Sequence, residues 1–223
     1  MVPRLLQNTL KSKVRAIYSM IKKILFFILF PFTLYANDCL VYKQIPNVKI
    51  SKPEYEKNVI QSDEHMEKYH GNVLATLVED YDIITDIITS GTGYCVVIRA
   101  VDGIIGYNDF LVKIDNSHDV DSCEYRAVLN HEDKHIDAYL SVIDDMWADI
   151  SGSVFNAANS VMPVFVSSRG EIDLAIENMN IKMRAHPELV LMKQKIKAAQ
   201  EIRNKRVDQN EDNHELKSCF IIS

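Results

Sequence analysis

Five consecutive residues, His131-Glu132-Asp133-Lys134-His135, constrain this chain more than any other feature of its sequence. They lie in a run whose apolar residues recur at spacings of mostly three and four, from Leu129 to Val154, which predicts one long amphipathic helix. Side chains four residues apart on a helix lie on the same face, one turn above the other. Two imidazoles placed in this way can share one metal ion.

The two histidines and the glutamate between them predict a zinc site with a general base. Zinc held by neutral imidazoles lowers the pKa of a bound water to about 7, and a carboxylate can take its proton as the water attacks a carbonyl. We therefore expect His131 and His135 to bind zinc and Glu132 to be the catalytic base. The alternative is a surface helix with two solvated histidines. Both histidines lie beside the apolar stripe, where a cleft wall would be, and this favours the metal site.

The motif does not supply a third metal ligand, although a catalytic zinc normally has three protein ligands. Glu171, on the next predicted helix, is a candidate. Its carboxylate is equally well explained as an acidic residue in the first turn of a helix. Tyr139, one turn after His135, is a poor ligand as a neutral phenol and a better donor to an oxyanion, a role that Tyr125 also fits.

The first 36 residues have the layout of a secretory signal peptide. They carry six Lys/Arg and no acid, and a short apolar run over residues 24–30 leads to a small residue, Ala36. That run is shorter than the roughly 20 residues of a bilayer span, and Met20 is a candidate for the true start. We expect a periplasmic or secreted protein with one domain over residues 37–223. An uncleaved N-terminal anchor is the alternative, and it would be the protein's contact with the membrane.

The charge of the remainder excludes two classes of partner. Removing the six N-terminal basic residues from the 25 of the chain leaves 19 against 31 acidic residues, a formal charge of −12. Such an acidic chain has no electrostatic footprint for nucleic acid or for an anionic lipid surface.

Four cysteines, Cys39, Cys95, Cys123 and Cys219, all lie beyond the predicted cleavage point. An even number in an oxidising compartment predicts two disulfides, with three possible connectivities. We favour Cys95–Cys123 together with Cys39–Cys219, which would tie the two ends of the domain. A cysteine zinc site is disfavoured because the chain has no Cys-x-x-Cys pair.

Patterning over the rest of the chain predicts an α+β fold. β-branched and alternating segments from Cys39 to Ile114 indicate a small, mostly antiparallel sheet, with Asp102-Gly103 as a hairpin turn. The motif helix follows, and further helices are predicted from Ser168 to about Ala185 and from Glu188 to about Lys205. Zincins have this order of strands and motif helix, and their edge strand can hold an extended peptide.

Three segments resemble a group of secreted proteobacterial proteins and, more broadly, bacterial zinc-dependent proteases. The segments are Gly93–Ile98, Gly106–Ile114 and Ser122–His135, the last of which reads Ser-Cys-x-Tyr-x-x-Val-Leu-x-His-Glu-x-x-His. The match covers roughly residues 40 to 155 and the Cys219 tail. It implies a zincin-like fold, export, peptidase activity, and zinc binding by the two motif histidines, but no third ligand and no substrate.

Two functions of different classes therefore follow. The first is a zinc hydrolase that acts on amide bonds of peptide or peptidoglycan type. The second is a non-catalytic binding or structural protein of the cell envelope on a zincin-like scaffold. A third donor close to both imidazoles, beside an open groove, would favour the enzyme.

Overall fold

The computed structural model describes residues 39–63, 71–210 and 219. It is an α+β structure, as the sequence predicted. Its strands are β1 (Asn47–Ser51), β2 (Glu56–Ser62), β3 (Gly71–Ser90), β4 (Gly93–Asp115) and β5 (Val164–Val166). The helices of the described chain are α1 (Cys123–Asp145), α2 (Trp147–Ser160), α3 (Ile172–Arg184) and α4 (Pro187–Asn210). Two short 3-10 turns lie at Leu40–Tyr42 and Arg169–Glu171. The predicted signal peptide lies outside the described residues.

Strand β4 is the centre of the sheet, because β1, β2, β3 and β5 all pair with it. Its side chains are mostly buried, which accounts for its nearly continuous apolar sequence. β1 and β2 run parallel to β4, and β5 pairs with it antiparallel over three residues. The prediction of a mostly antiparallel sheet is therefore wrong, since both N-terminal strands pair in the parallel direction.

The prediction of a hairpin turn at Asp102-Gly103 is also wrong, because both residues lie inside the continuous strand β4. A Cβ atom at Gly103 would lie 2.9 Å from the Tyr81 ring and 3.2 Å from Ile50 Cγ2. Gly103 thus allows Tyr81 and Ile50 to approach its backbone closely, and it does not form a turn. The chain turns instead at Gly91, whose φ of 55° is a left-handed conformation that glycine adopts without strain.

Helix α1 begins after a side-chain cap at Ser122. The backbone N–H of Tyr125 donates to Ser122 Oγ at 3.0 Å, and Glu124 lies in the first turn. The helix ends at Asp145, so the single long helix expected from Leu129 to Val154 is in fact two, α1 and α2, separated at Met146.

The described chain divides into two compact units. One comprises residues 39–44, 86–97 and 162–175, and it has a small core of Cys39, Cys95 and Val97 against which Tyr42, Ile88 and Phe165 pack. The other comprises residues 45–63, 71–85, 98–161, 176–210 and 219. It contains α1, α2 and α4 and the motif residues.

All four cysteines are paired, as the even count predicted, but the favoured connectivity is wrong. The pairs are Cys39–Cys95 and Cys123–Cys219, each with a Cα–Cα distance of 5.5 Å. Each bond lies within one of the two units, whereas the expected pairs would have joined residues of different units. The disulfides are compatible with an extracellular location. No helix within the described ranges is long and apolar enough to cross a membrane.

Candidate metal site

The two motif histidines lie on one face of α1, as their four-residue spacing predicts. Their ring centroids are 4.8 Å apart, the ring planes are inclined at 83°, and the two Nε2 atoms are separated by 3.2 Å. His131 is only 1% exposed, and His135 is partly exposed. Each imidazole therefore directs its Nε2 atom to the same point.

A third donor reaches that point from the end of α4. Asp208 Oδ1 lies 3.2 Å from His135 Nε2 and 3.6 Å from His131 Nε2. Tetrahedral zinc with ligand distances of about 2.0–2.1 Å holds its donor atoms about 3.3 Å apart. The three measured separations lie close to that value. Within the described ranges, His131, His135 and Asp208 form the one group of three such donors placed to hold a metal ion.

Asn204 supports one of the histidines from the same helix as Asp208. Its Oδ1 lies 3.3 Å from His135 Nδ1. An amide oxygen can only accept, so this contact is a hydrogen bond in the tautomer that carries its proton on Nδ1, which is also the tautomer whose Nε2 can bind a metal ion. Such second partners orient metal-binding histidines in many proteins. Asn204 and Asp208 are four residues apart, so α4 presents both on one face.

The donors open into a pocket of about 280 Å³. Its lining combines the start of β3 with facing residues of α1 and α4: Gly71, Asn72, Val73, His131, Glu132, His135, Tyr139, Asn204 and Asp208. Glu132, the predicted base, is thus on the same pocket as the three donors, although its side chain is almost completely buried.

The neighbouring acid in the motif has a different environment. Asp133 accepts hydrogen bonds from Lys57 Nζ at 2.8 and 3.0 Å, which ties α1 to β2. The two adjacent carboxylates of the motif therefore face in different directions. Glu132 faces the pocket, and Asp133 faces a strand.

Tyr139, the predicted oxyanion donor, lines the pocket, and two aromatic rings hold its ring in place. Its ring packs edge-on against Tyr107, with centroids 5.0 Å apart, and against Phe110 at 5.9 Å. Tyr107 is buried and donates its hydroxyl hydrogen to Gln200 Oε1. Burial raises the pKa of Tyr107, so this phenol stays neutral. Tyr125 is not among the residues that line the pocket.

Glu171, the candidate third ligand, is used in another way. Its carboxylate accepts hydrogen bonds from the backbone N–H and the hydroxyl of Ser167, at 3.0 and 2.9 Å. These bonds hold the pKa of Glu171 below its usual value. The converging donor group does not include it. The structure therefore gives Asp208 the position for which the sequence offered Glu171.

Sequence reasoning missed Asp208 because it ended the last helix too early. The prediction stopped that helix at about Lys205, which left Asp208 beyond its end, whereas α4 continues to Asn210. The available signal was the Asn204-x-x-x-Asp208 spacing, which repeats the four-residue spacing of the two histidines. Asp208 lies 73 residues after His135, so the sequence alone does not show that the two side chains meet.

Comparison of the chain with protein-family models, with curated proteins and with solved structures finds no match.

Proposed function

We propose that this chain is an exported zinc-dependent metallohydrolase that cleaves amide bonds of peptide or peptidoglycan type. The observation that carries the proposal is the meeting of His131, His135 and Asp208 at tetrahedral spacing, on a pocket that also contains Glu132. The His-Glu-x-x-His spacing of residues 131–135 supports the same activity.

The donor set suits zinc in a catalytic role. Two imidazole nitrogens and one carboxylate oxygen are three protein ligands, which leaves a fourth position for water. Structural zinc sites instead fill all four positions with protein atoms, most often including cysteine. Here all four cysteines are in disulfides and supply no thiolate.

Three residues of the pocket, Glu132, Tyr139 and Asn204, have roles that follow from their places. Bound zinc would acidify a water and polarise the substrate carbonyl. Glu132 would accept a proton from the attacking water and would pass that proton to the amide nitrogen as the C–N bond breaks. Tyr139 donates a hydrogen bond to the carbonyl oxygen as negative charge develops there. Asn204 keeps His135 oriented throughout.

The volume of the pocket is compatible with part of a polymer as the substrate. The pocket has about 280 Å³, so the residues around a scissile bond would lie inside it and the rest of a peptide or a peptidoglycan stem outside.

The decisive experiment combines metal analysis with one substitution. Purified, untagged protein should contain about one zinc per chain, and Glu132→Gln should retain the zinc. Hydrolysis should fall by about 100-fold or more, because a general base contributes about 10²–10⁴-fold. Activity is measured by mass spectrometry on a mixture of short peptides and on purified peptidoglycan, with and without a chelator.

Asp133→Asn is the matched control, since it neutralises the adjacent carboxylate that binds Lys57 and not the one on the pocket. It should retain both zinc and activity. Equal hydrolysis by Glu132→Gln would remove Glu132 from the mechanism. Stoichiometric zinc without hydrolysis of either substrate would instead support the non-catalytic envelope protein.

A further inference from the structure

We propose that Gly71, the first residue of β3, is a positioning residue for the general base. The space that any other side chain would fill at Gly71 is the space in which the Glu132 carboxylate lies. This inference rests on the proposed function, because it concerns the residue to which that function gives the proton transfer.

The geometry at Gly71 is unusually close. A Cβ atom built there would lie 2.6 Å from Glu132 Oε1, 3.0 Å from Glu132 Cγ and 2.6 Å from Val128 Cγ1. Ordinary van der Waals contacts begin at 3.4 Å, so a methyl group at Gly71 would overlap the carboxylate by about 0.8 Å. Gly71 and Glu132 line the same pocket, so the overlap lies at the site.

Both side chains that the added Cβ would overlap, Glu132 and Val128, lie in a packed interior. Glu132 is 2% exposed, and Val128, one turn earlier on α1, is completely buried. A packed interior resists the addition of even one methyl group. Since β-branched Val128 is stiff about its first side-chain torsion, the longer Glu132 side chain is the one that moves.

The metal donors are not part of this contact. The three atoms nearest to the added Cβ belong to Glu132 and Val128, and none belongs to His131, His135 or Asp208. A substitution at Gly71 should therefore affect the placement of the base without affecting zinc binding. The zinc should still bind, and the Glu132 carboxylate should be displaced.

The test is Gly71→Ala, measured for zinc affinity, hydrolysis and structure. The zinc dissociation constant should stay within about threefold of that of the unmodified chain. The turnover number should fall by about 100-fold with little change in KM, because a misplacement of about 1 Å of a reacting group has an effect of this size. A crystal structure of the zinc-bound variant should show the Glu132 carboxylate displaced and both imidazoles in place.

Two further variants separate this role from a packing defect. Gly71→Ala combined with Val128→Ala removes the contact with valine but keeps the contact with Glu132, so it should recover thermal stability and stay inactive. Gly152→Ala makes the same substitution where no atom lies within 4 Å, and it should change nothing at the site. Recovery of full activity in the double variant would overturn the proposal.

A failure of the proposed function would be visible separately. If the unmodified chain binds zinc but hydrolyses nothing, the crystallographic position of Glu132 in Gly71→Ala still decides the inference. An undisplaced carboxylate in that variant would refute the role of Gly71, whatever the activity of the chain.

Discussion

Replacement of Asp208 by alanine tests the whole site, because the sequence predicted a different third ligand, Glu171, and the structure places Asp208 beside the two imidazoles. Its Oδ1 atom is 3.2 and 3.6 Å from the two imidazole nitrogens, and its loss leaves two protein donors. Zinc sites with four protein ligands bind with about 10–16 kcal/mol of apparent free energy, or about 2.5–4 kcal/mol per ligand. At 1.4 kcal/mol per factor of ten, Asp208→Ala should weaken zinc binding by about 10²–10³-fold.

The assay is chelator competition for the affinity, combined with thermal unfolding at a fixed free zinc concentration. Zinc at 100 times the dissociation constant of the unmodified chain should stabilise that chain by about 2.7 kcal/mol. A variant with 100-fold weaker binding should gain only about 0.4 kcal/mol at the same concentration. The comparison needs no substrate, so it is independent of the proposed reaction.

Two controls make the result specific to Asp208. Asp137→Ala removes an exposed acid on α1 that lines a different pocket, and it should leave the zinc affinity unchanged. Glu171→Ala should also leave it unchanged, since the Glu171 carboxylate is bound to Ser167. The reasoning is refuted if Asp208→Ala binds zinc with the affinity of the unmodified chain. A loss of zinc affinity in Glu171→Ala would contradict it as well.

Two further predictions concern the support of the site. Asn204→Ala should weaken zinc binding by about 10–100-fold, since it removes the hydrogen-bond acceptor of His135, whereas Asn204→Asp should retain most of the affinity. Chelator competition measures both affinities. If the alanine variant binds zinc as tightly as the unmodified chain, Asn204 does not orient the ring. Replacing Cys123 and Cys219 together by serine should destabilise the chain by about 2–5 kcal/mol in urea unfolding and also weaken zinc binding, because this disulfide joins the start of α1 to the chain beyond α4. Removal of the other disulfide should reduce stability without changing the zinc affinity, and an equal effect of both on zinc would contradict this assignment.

Features that depend on neighbouring residues could be predicted from the sequence. The shared face of the two histidines and the place of Tyr139 on the pocket both follow from helical spacing. The α+β class also follows from such local patterns. Hydrogen bonds and side-chain directions within one helix repeat every few residues, so a short stretch of sequence contains the necessary information.

Features that join distant segments could not be predicted. Both disulfide pairs, the parallel direction of β1 and β2 and the arrival of Asp208 depend on which segments meet in the fold. Gly103 shows how local reasoning fails: a glycine that follows an aspartate suggests a turn, but here it makes room for Tyr81. Only the packed structure distinguishes these two uses of glycine.

The position of Asp208 near the end of α4 has a consequence for the timing of metal uptake. A ribosome makes the two histidines long before it makes the carboxylate, and the three donors meet only after α4 has packed against α1. A chain that is still unfolded therefore offers zinc two imidazoles and no defined cage. An ion held by all three donors would therefore bind only after the chain has folded.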